Sequence, residues 1–171
     1  YNDKMDRVVE ELRAKHLLKL DDGASIVDLS DYKMPPCIIL RSDGATLYAT
    51  RDIAAALYRK DTYDFDKCLY VVAYQHDLHF RQWFKVVELM GYPWAKDLIH
   101  VSFGMVSGTE GAFSTRKGNM VKLREVLSAA CDKTYEIICE KSPDLEDKET
   151  IAKQVGIGAL IWNSLYNGRI K

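Results

Sequence analysis

A tyrosine and a carboxylate stand four positions apart in the segment YATRD, as Tyr48 and Asp52. This spacing keeps both side chains on one side of a strand or on one face of a helix. A carboxylate beside a phenol hydroxyl suits a cationic ligand that donates hydrogen bonds, such as a guanidinium. The plainer alternative, which local sequence favours, makes Asp52 the N-cap of the next helix and Tyr48 a core aromatic. Asp52 could also serve both purposes.

Two histidines, His76 and His79, lie three positions apart near a predicted helix start. Such a pair can bind a metal ion, but the sequence offers no third ligand at a matching spacing. We therefore predict no metal site and expect polar pocket lining or ordinary packing. Tyr74, Gln75 and His76 follow an apolar run that predicts a strand, so they could face a ligand at the edge of a sheet.

A polar loop with two glycines, GAFSTRKGNM, occupies residues 111–120. Ser114 and Thr115 offer hydroxyls, and Arg116 and Lys117 offer charge-assisted hydrogen bonds to phosphate oxygens. The residue order of a P-loop is absent. Local composition favours a solvated surface turn, and phosphate binding is the alternative.

The first third of the chain predicts helix, strand and hairpin in turn. The segments are KMDRVVEELRAKHLLKL (an amphipathic helix or helical pair), SIVDL (a strand), and CIILR and TLYATR (a hairpin). Asp43 and Gly44 supply the positive φ angles that the hairpin turn needs. The helix DIAAALYRK follows, with Asp52 as its expected cap.

Strands and helices then alternate. The segments are CLYVVAY (a strand covered on both faces), DLHFRQWFKVVELMG (a helix), LIHVSFGMV (a strand), and the helices LREVLSAACDKTYEIICEK and KETIAKQVGIGALIWNSLYN. This order predicts an α/β fold with a mostly parallel sheet and flanking helices. Ligands bind at the carboxyl ends of such strands, so YATRD, YQHDLH and FSTRKGN are expected to converge there. Gly156 and Gly158, inside the last helix, indicate close packing or a kink.

Composition excludes several classes of protein. The 171 residues carry 24 basic and 25 acidic side chains, so no global field marks a nucleic-acid or membrane binder. Four scattered cysteines without CxxC spacing argue against a disulfide scaffold or a zinc ribbon. We find no signal-peptide pattern and no apolar run long enough to span a bilayer. These features predict a reduced, cytoplasmic protein.

Read together, three stretches resemble the arginyl-tRNA synthetases, a family of class I aminoacyl-tRNA synthetases. They are SDGATLYATRDIAAALYR, the run from DKCLYVVAYQHDLHF to HVSFGMV, and FSTRKGN, and their order and spacing are highly specific. The resemblance covers residues 5–140 and extends to the last helix. It implies a Rossmann-like catalytic domain that makes arginyl-adenylate from arginine and ATP, with Mg²⁺ accompanying the ATP. Arginine is then transferred to tRNA(Arg).

The resemblance also implies roles for single residues. Tyr48 and Asp52 look like the pair that reads the substrate guanidinium, and His76 stands where related sequences often have a glutamine that contacts the amino acid. The backbone at Met105 and Val106 is implied to lie beside the adenine.

The loop FSTRKGN resembles the mobile KMSKS loop, which stabilises the pyrophosphate leaving group. The residues that it implies are Ser114, Thr115, Arg116 and Lys117 for catalysis, and Ser114, Arg116, Lys117 and Gly118 for ATP binding. Ala112 and Thr115 occupy the positions where the standard motif has its two lysines. Arg116, Lys117 and a lysine elsewhere are expected to share that role.

The sequence contains no His-x-Gly-His motif, which class I enzymes use to hold the ATP phosphates. We therefore expect the second half of a Rossmann-like catalytic domain, cut from a longer protein. The missing parts would be the first half of that domain and the anticodon-binding domain. Within the chain we expect a helical and strand segment at 1–40, the catalytic half-domain at 41–140, and the start of a helical segment at 141–171.

On this basis the isolated chain is expected to be inactive. One alternative is a free-standing module that binds arginine or a nucleotide without catalysis. Another is an α/β domain that uses this surface only for protein contacts.

Overall fold

The computed structural model describes residues 2–105, 107–108, 111–112 and 121–170. The chain divides into two units, Tyr1–Ser102 and Phe103–Lys171. The elements of the first unit are α1 (Met5–Ala14), β1 (Leu18–Asp21), β2 (Ala24–Val27), β3 (Cys37–Leu40), α2 (Tyr48–Tyr63), β4 (Cys68–Ala73), α3 (Asp77–Leu89) and β5 (Leu98–Phe103), the last strand ending one residue into the second unit.

The first three strands form an antiparallel sheet in the order β1-β2-β3. The helix predicted at the start is confirmed as α1. The alternative of a helical pair is wrong, because Leu18 begins β1. The chain leaves α1 through His16, which has a φ of 56°. It then turns back through Asp22 and Gly23, with φ angles of 46° and 77°, to pair β1 with β2. A strand of only four residues is too short for its periodicity to be read.

The predicted hairpin is only half formed. Gly44 takes a φ of 79° in the turn as predicted, but Asp43 does not, and its carboxylate accepts the Ala45 N–H instead. The prediction that TLYATR forms the second strand of the hairpin is wrong. Thr46 makes a single bridge to Leu40, and α2 already begins at Tyr48.

The early start of α2 follows from its buried face. The buried residues recur at helical spacing from the first turn onwards: Ala49, Thr50, Ile53, Ala54 and Leu57. The buried Thr50 hydroxyl also donates to the Ile39 carbonyl oxygen at 2.6 Å, which ties this first turn to β3. The prediction that Asp52 caps α2 is therefore wrong. Leu47 is the N-cap, and Asp52 lies in the second turn.

Strands β4 and β5 form a parallel pair joined through α3, so the predicted α/β class is confirmed. Among the described strands, this pair is the parallel part of the fold. Helix α3 buries Phe80, Trp83 and Val87 and ends before Gly91, whose φ is 88°.

The prediction that both faces of β4 are covered is wrong for the described chain. Burial alternates along the strand: Tyr70 and Val72 pack on the core, whereas Leu69 and Val71 are exposed. The described elements of the first unit thus cover only one face of this strand.

The second unit contains two short strands and two long helices. They are β6 (Ser107–Gly108), β7 (Gly111–Ala112), α4 (Leu123–Lys141) and α5 (Lys148–Tyr166). Both helices were predicted, as was the end of α4 just before Ser142 and Pro143. No helix in the described part of the chain is long and apolar enough to cross a membrane.

The two glycines of α5 differ in their surroundings. A Cβ on Gly156 would lie 2.9 Å from the Ala130 carbonyl oxygen of α4, so the predicted close packing is confirmed there. Apart from its chain neighbours and the adjacent backbone of α5, no described atom lies within 4 Å of a Cβ built on Gly158, so close packing does not account for that glycine.

Candidate functional site

Tyr48 and Asp52 lie one turn apart on the same helix, α2. Residues at this spacing are neighbours on a helix surface. Tyr48 is 75% exposed, so the alternative that it is a core aromatic is wrong. The Asp52 side chain is 39% exposed. Buried residues on the opposite side of α2 hold the helix against the core, which leaves both polar side chains accessible to a ligand.

The Asp52 carboxylate is held by a histidine from another helix. Its Oδ2 atom lies 2.7 Å from Nε2 of His79, in the first turn of α3. The His79 side chain is 29% exposed. The other carboxylate oxygen, Oδ1, has no hydrogen-bond partner among the described residues. Asp52 therefore has one oxygen engaged by His79 and one without a partner in the described part of the chain, on a side chain that is 39% exposed.

The first turn of α3 is tied to both strands of the parallel pair. His100 on β5 contacts Asp77 of this turn, with 3.1 Å between Nδ1 and Oδ1. Its Nε2 donates to the Val72 carbonyl oxygen of β4 at 2.9 Å. The His100 ring also stacks on Phe80, with 4.1 Å between the ring centroids and 23° between the planes. His79 thus extends from a rigidly supported part of the helix.

His76 lies where the sequence predicts, directly after β4, in the short 3-10 helix Tyr74–His76. It is exposed, and within the described residues it makes no hydrogen bond to Tyr48 or Asp52. The sequence interpretation treated His79 as lining or packing and missed its bond to Asp52. No local signal could have revealed this bond, because the two residues are 27 positions apart. The described residues contain no cluster of three potential metal ligands.

Met105 is exposed and follows β5. The other residues expected at the nucleotide lie outside the described residues: Val106, Ser114, Thr115, Arg116, Lys117 and Gly118. Their roles stay predictions.

The described arrangement can bind a ligand that donates hydrogen bonds and carries positive charge. An ionised carboxylate is only an acceptor, whereas a phenol hydroxyl both donates and accepts. A guanidinium carries five N–H donors and no acceptor, so this pair of side chains matches its chemistry.

Comparison with known proteins identifies the family. All of residues 1–171 match the family model for the catalytic domain of class I tRNA synthetases for arginine, "tRNA synthetases class I (R), catalytic domain". The chain belongs to this family. As a class I arginyl-tRNA synthetase sequence it is 61% identical over 171 residues to the arginine–tRNA ligase of Clostridioides difficile. It is 58% identical over the same length to that of Alkaliphilus metalliredigens.

The match covers 100% of this chain and 30% of each of these two relatives. The synthetase chain therefore spans about a third of the length of the curated relatives that it matches.

Solved structures support the same fold. The arginyl-tRNA synthetase of Thermus thermophilus matches with a TM-score of 0.80 and 21% identity, over 99% of this chain and 35% of that one. The enzyme of Plasmodium falciparum matches with a TM-score of 0.75 and 19% identity, over 99% of this chain and 28% of that one. The predicted class I synthetase fold is thus confirmed.

Proposed function

We propose that the full-length protein containing this chain activates arginine with ATP and transfers it to tRNA(Arg). In the activation step a carboxylate oxygen of arginine bonds to the α-phosphorus of ATP, and pyrophosphate leaves. ATP accompanied by Mg²⁺, tRNA(Arg) as acceptor, an anticodon-binding domain and a cytoplasmic location belong to the same proposal.

The observation that carries this proposal is the pair on α2. Tyr48 and Asp52 are accessible, one turn apart, and chemically matched to a guanidinium. In our proposal the open Oδ1 of Asp52 accepts an N–H of the arginine side chain. The charge-assisted bond distinguishes arginine from neutral side chains of similar length.

Further roles in this proposal rest on the family motifs. His76 contacts the amino acid, and the backbone at Met105 and Val106 lies beside the adenine. Arg116 and Lys117 stabilise the charge that grows on the leaving pyrophosphate, because fixed cations relieve that charge without reorganising. Ser114, Thr115 and Gly118 complete the loop.

The decisive experiment is Asp52→Asn in the full-length protein, assayed by ATP–pyrophosphate exchange with tRNA present. The substitution removes the negative charge but keeps the shape of the side chain. We expect kcat/KM for arginine to fall on the order of 30- to 1000-fold, because a charged partner of the substrate is lost. This fall corresponds to a loss of about 2–4 kcal/mol in transition-state stabilisation.

Asp66→Asn is the matched control, since Asp66 is exposed and lies outside the proposed site. Unchanged arginine kinetics in the Asp52 variant would remove this residue from the site. If the full-length wild-type protein bound arginine but gave no exchange, the binding-module alternative would replace the enzymatic proposal.

A further inference from the structure

We propose that His79 is a positioning residue for arginine recognition, holding Oδ2 of Asp52 so that Oδ1 faces the guanidinium. The inference rests on the proposed function, in which Asp52 reads that guanidinium. His79 itself does not contact the substrate in this proposal. It acts through the orientation of the carboxylate.

The hydrogen bond sets the roles of the two groups. The 2.7 Å separation between Nε2 and Oδ2 is that of a short, charge-assisted bond. An ionised carboxylate can only accept, so Nε2 of His79 carries a hydrogen and donates the hydrogen bond to Oδ2. Because Oδ2 is engaged, a ligand N–H meets an acceptor, Oδ1, that has no partner among the described residues.

Partial exposure explains why such a bond is needed. The side chains of Asp52 and His79 are 39% and 29% exposed, so packing alone leaves the carboxylate rotational freedom. Ordering a free side chain at the moment of binding costs affinity, and a preorganised side chain avoids that cost. The histidine therefore improves binding by restricting Asp52 before arginine arrives.

The histidine can orient its partner because its own position is restrained. Its ring packs edge-on against buried Phe80, with 5.6 Å between centroids and 76° between planes. The same turn of α3 is anchored through the contact of Asp77 with His100. Residues that hold a binding group in place work best from such rigid elements.

The experiment compares His79→Leu and His79→Gln with the wild type in the full-length protein. Leucine removes the donor, whereas glutamine keeps an N–H near the position of Nε2. We expect the leucine variant to raise KM for arginine about tenfold, with kcat and KM for ATP changed less than about threefold. Glutamine should restore KM to within about threefold of the wild type. Should the leucine variant fail to fold, His79→Asn, which is polar but too short, is expected to give the same rise in KM.

A double variant separates positioning from an independent effect. If His79 acts through Asp52, adding His79→Leu to Asp52→Asn should raise KM no further. Three results would overturn the inference: an additive effect in the double variant, no effect of His79→Leu alone, or no rescue by glutamine. As long as Asp52→Asn is impaired, each of these results leaves the proposed function standing. An unimpaired Asp52→Asn would instead overturn the proposed function, and the inference with it.

Discussion

Burial controls the reactivity of the cysteine side chains. Cys37 is buried in β3, and removal from water raises the pKa of its thiol to about 12. Cys139, on α4, is exposed. Since the thiolate is the nucleophile, a raised pKa keeps Cys37 protonated, and hence unreactive, at every pH well below that value.

We predict that iodoacetamide at about pH 8 modifies Cys139 and leaves Cys37 unmodified in the folded chain. Peptide mass spectrometry after timed labelling measures both sites in one sample. Unfolding in urea is the control, because it removes the burial that protects Cys37 and should make the two rates similar. Equal labelling rates in the folded chain would contradict the prediction.

At the scale of elements, α4 and α5 are in close backbone contact at Gly156. A Cβ there would lie 2.9 Å from the carbonyl oxygen of Ala130 and from backbone atoms of Cys131. These neighbours are backbone atoms, which cannot rotate away as a flexible side chain can. A larger residue would therefore have to move one helix relative to the other.

Gly156→Ala is expected to lower the free energy of unfolding by about 1–3 kcal/mol, because the clash exceeds the roughly 1 kcal/mol that alanine adds through helix propensity. Gly158→Ala is the matched control, with open space around its Cβ. It should raise stability by up to about 1 kcal/mol. Urea unfolding followed by circular dichroism measures both. A shift of the same sign in the two variants would refute the packing argument.

At the scale of the whole molecule, the chain contains only some of the sequence motifs that the proposed function requires. Tyr48 and Asp52, the pair proposed to bind the guanidinium, and the segment FSTRKGN are present in the sequence, whereas a His-x-Gly-His motif is not. Relatives of this chain are about three times as long, since it covers 30% of them. Catalysis by the proposed route needs groups that hold both substrates at once.

We predict that the 171-residue chain alone gives no ATP–pyrophosphate exchange, even with tRNA(Arg) present. The full-length protein, assayed in parallel, should give exchange and serves as the positive control. Circular dichroism of the short chain checks that a negative result does not come from an unfolded sample. Robust exchange by the short chain would show that the motif is dispensable.

The sequence by itself predicted the long helices, the parallel strand pair and the position of Tyr48 and Asp52 on one face of an element. The helices and the shared face depend on local spacing, because a helix repeats every 3.6 residues and places positions four apart on one face. The parallel pair follows from the alternation of strands and helices along the chain. The sequence also contains the segment FSTRKGN, whose likeness to the KMSKS loop stays a prediction.

Only the tertiary structure decided where α2 begins, that Leu18 starts a strand, and that His79 holds Asp52. The first turn of α2 forms early because Ala49 and Thr50 are buried and Thr50 bonds to β3, and β1 forms because it pairs with β2. The bond between His79 and Asp52 joins residues 27 positions apart. Such contacts depend on how separate elements pack, and local periodicity carries no information about that packing.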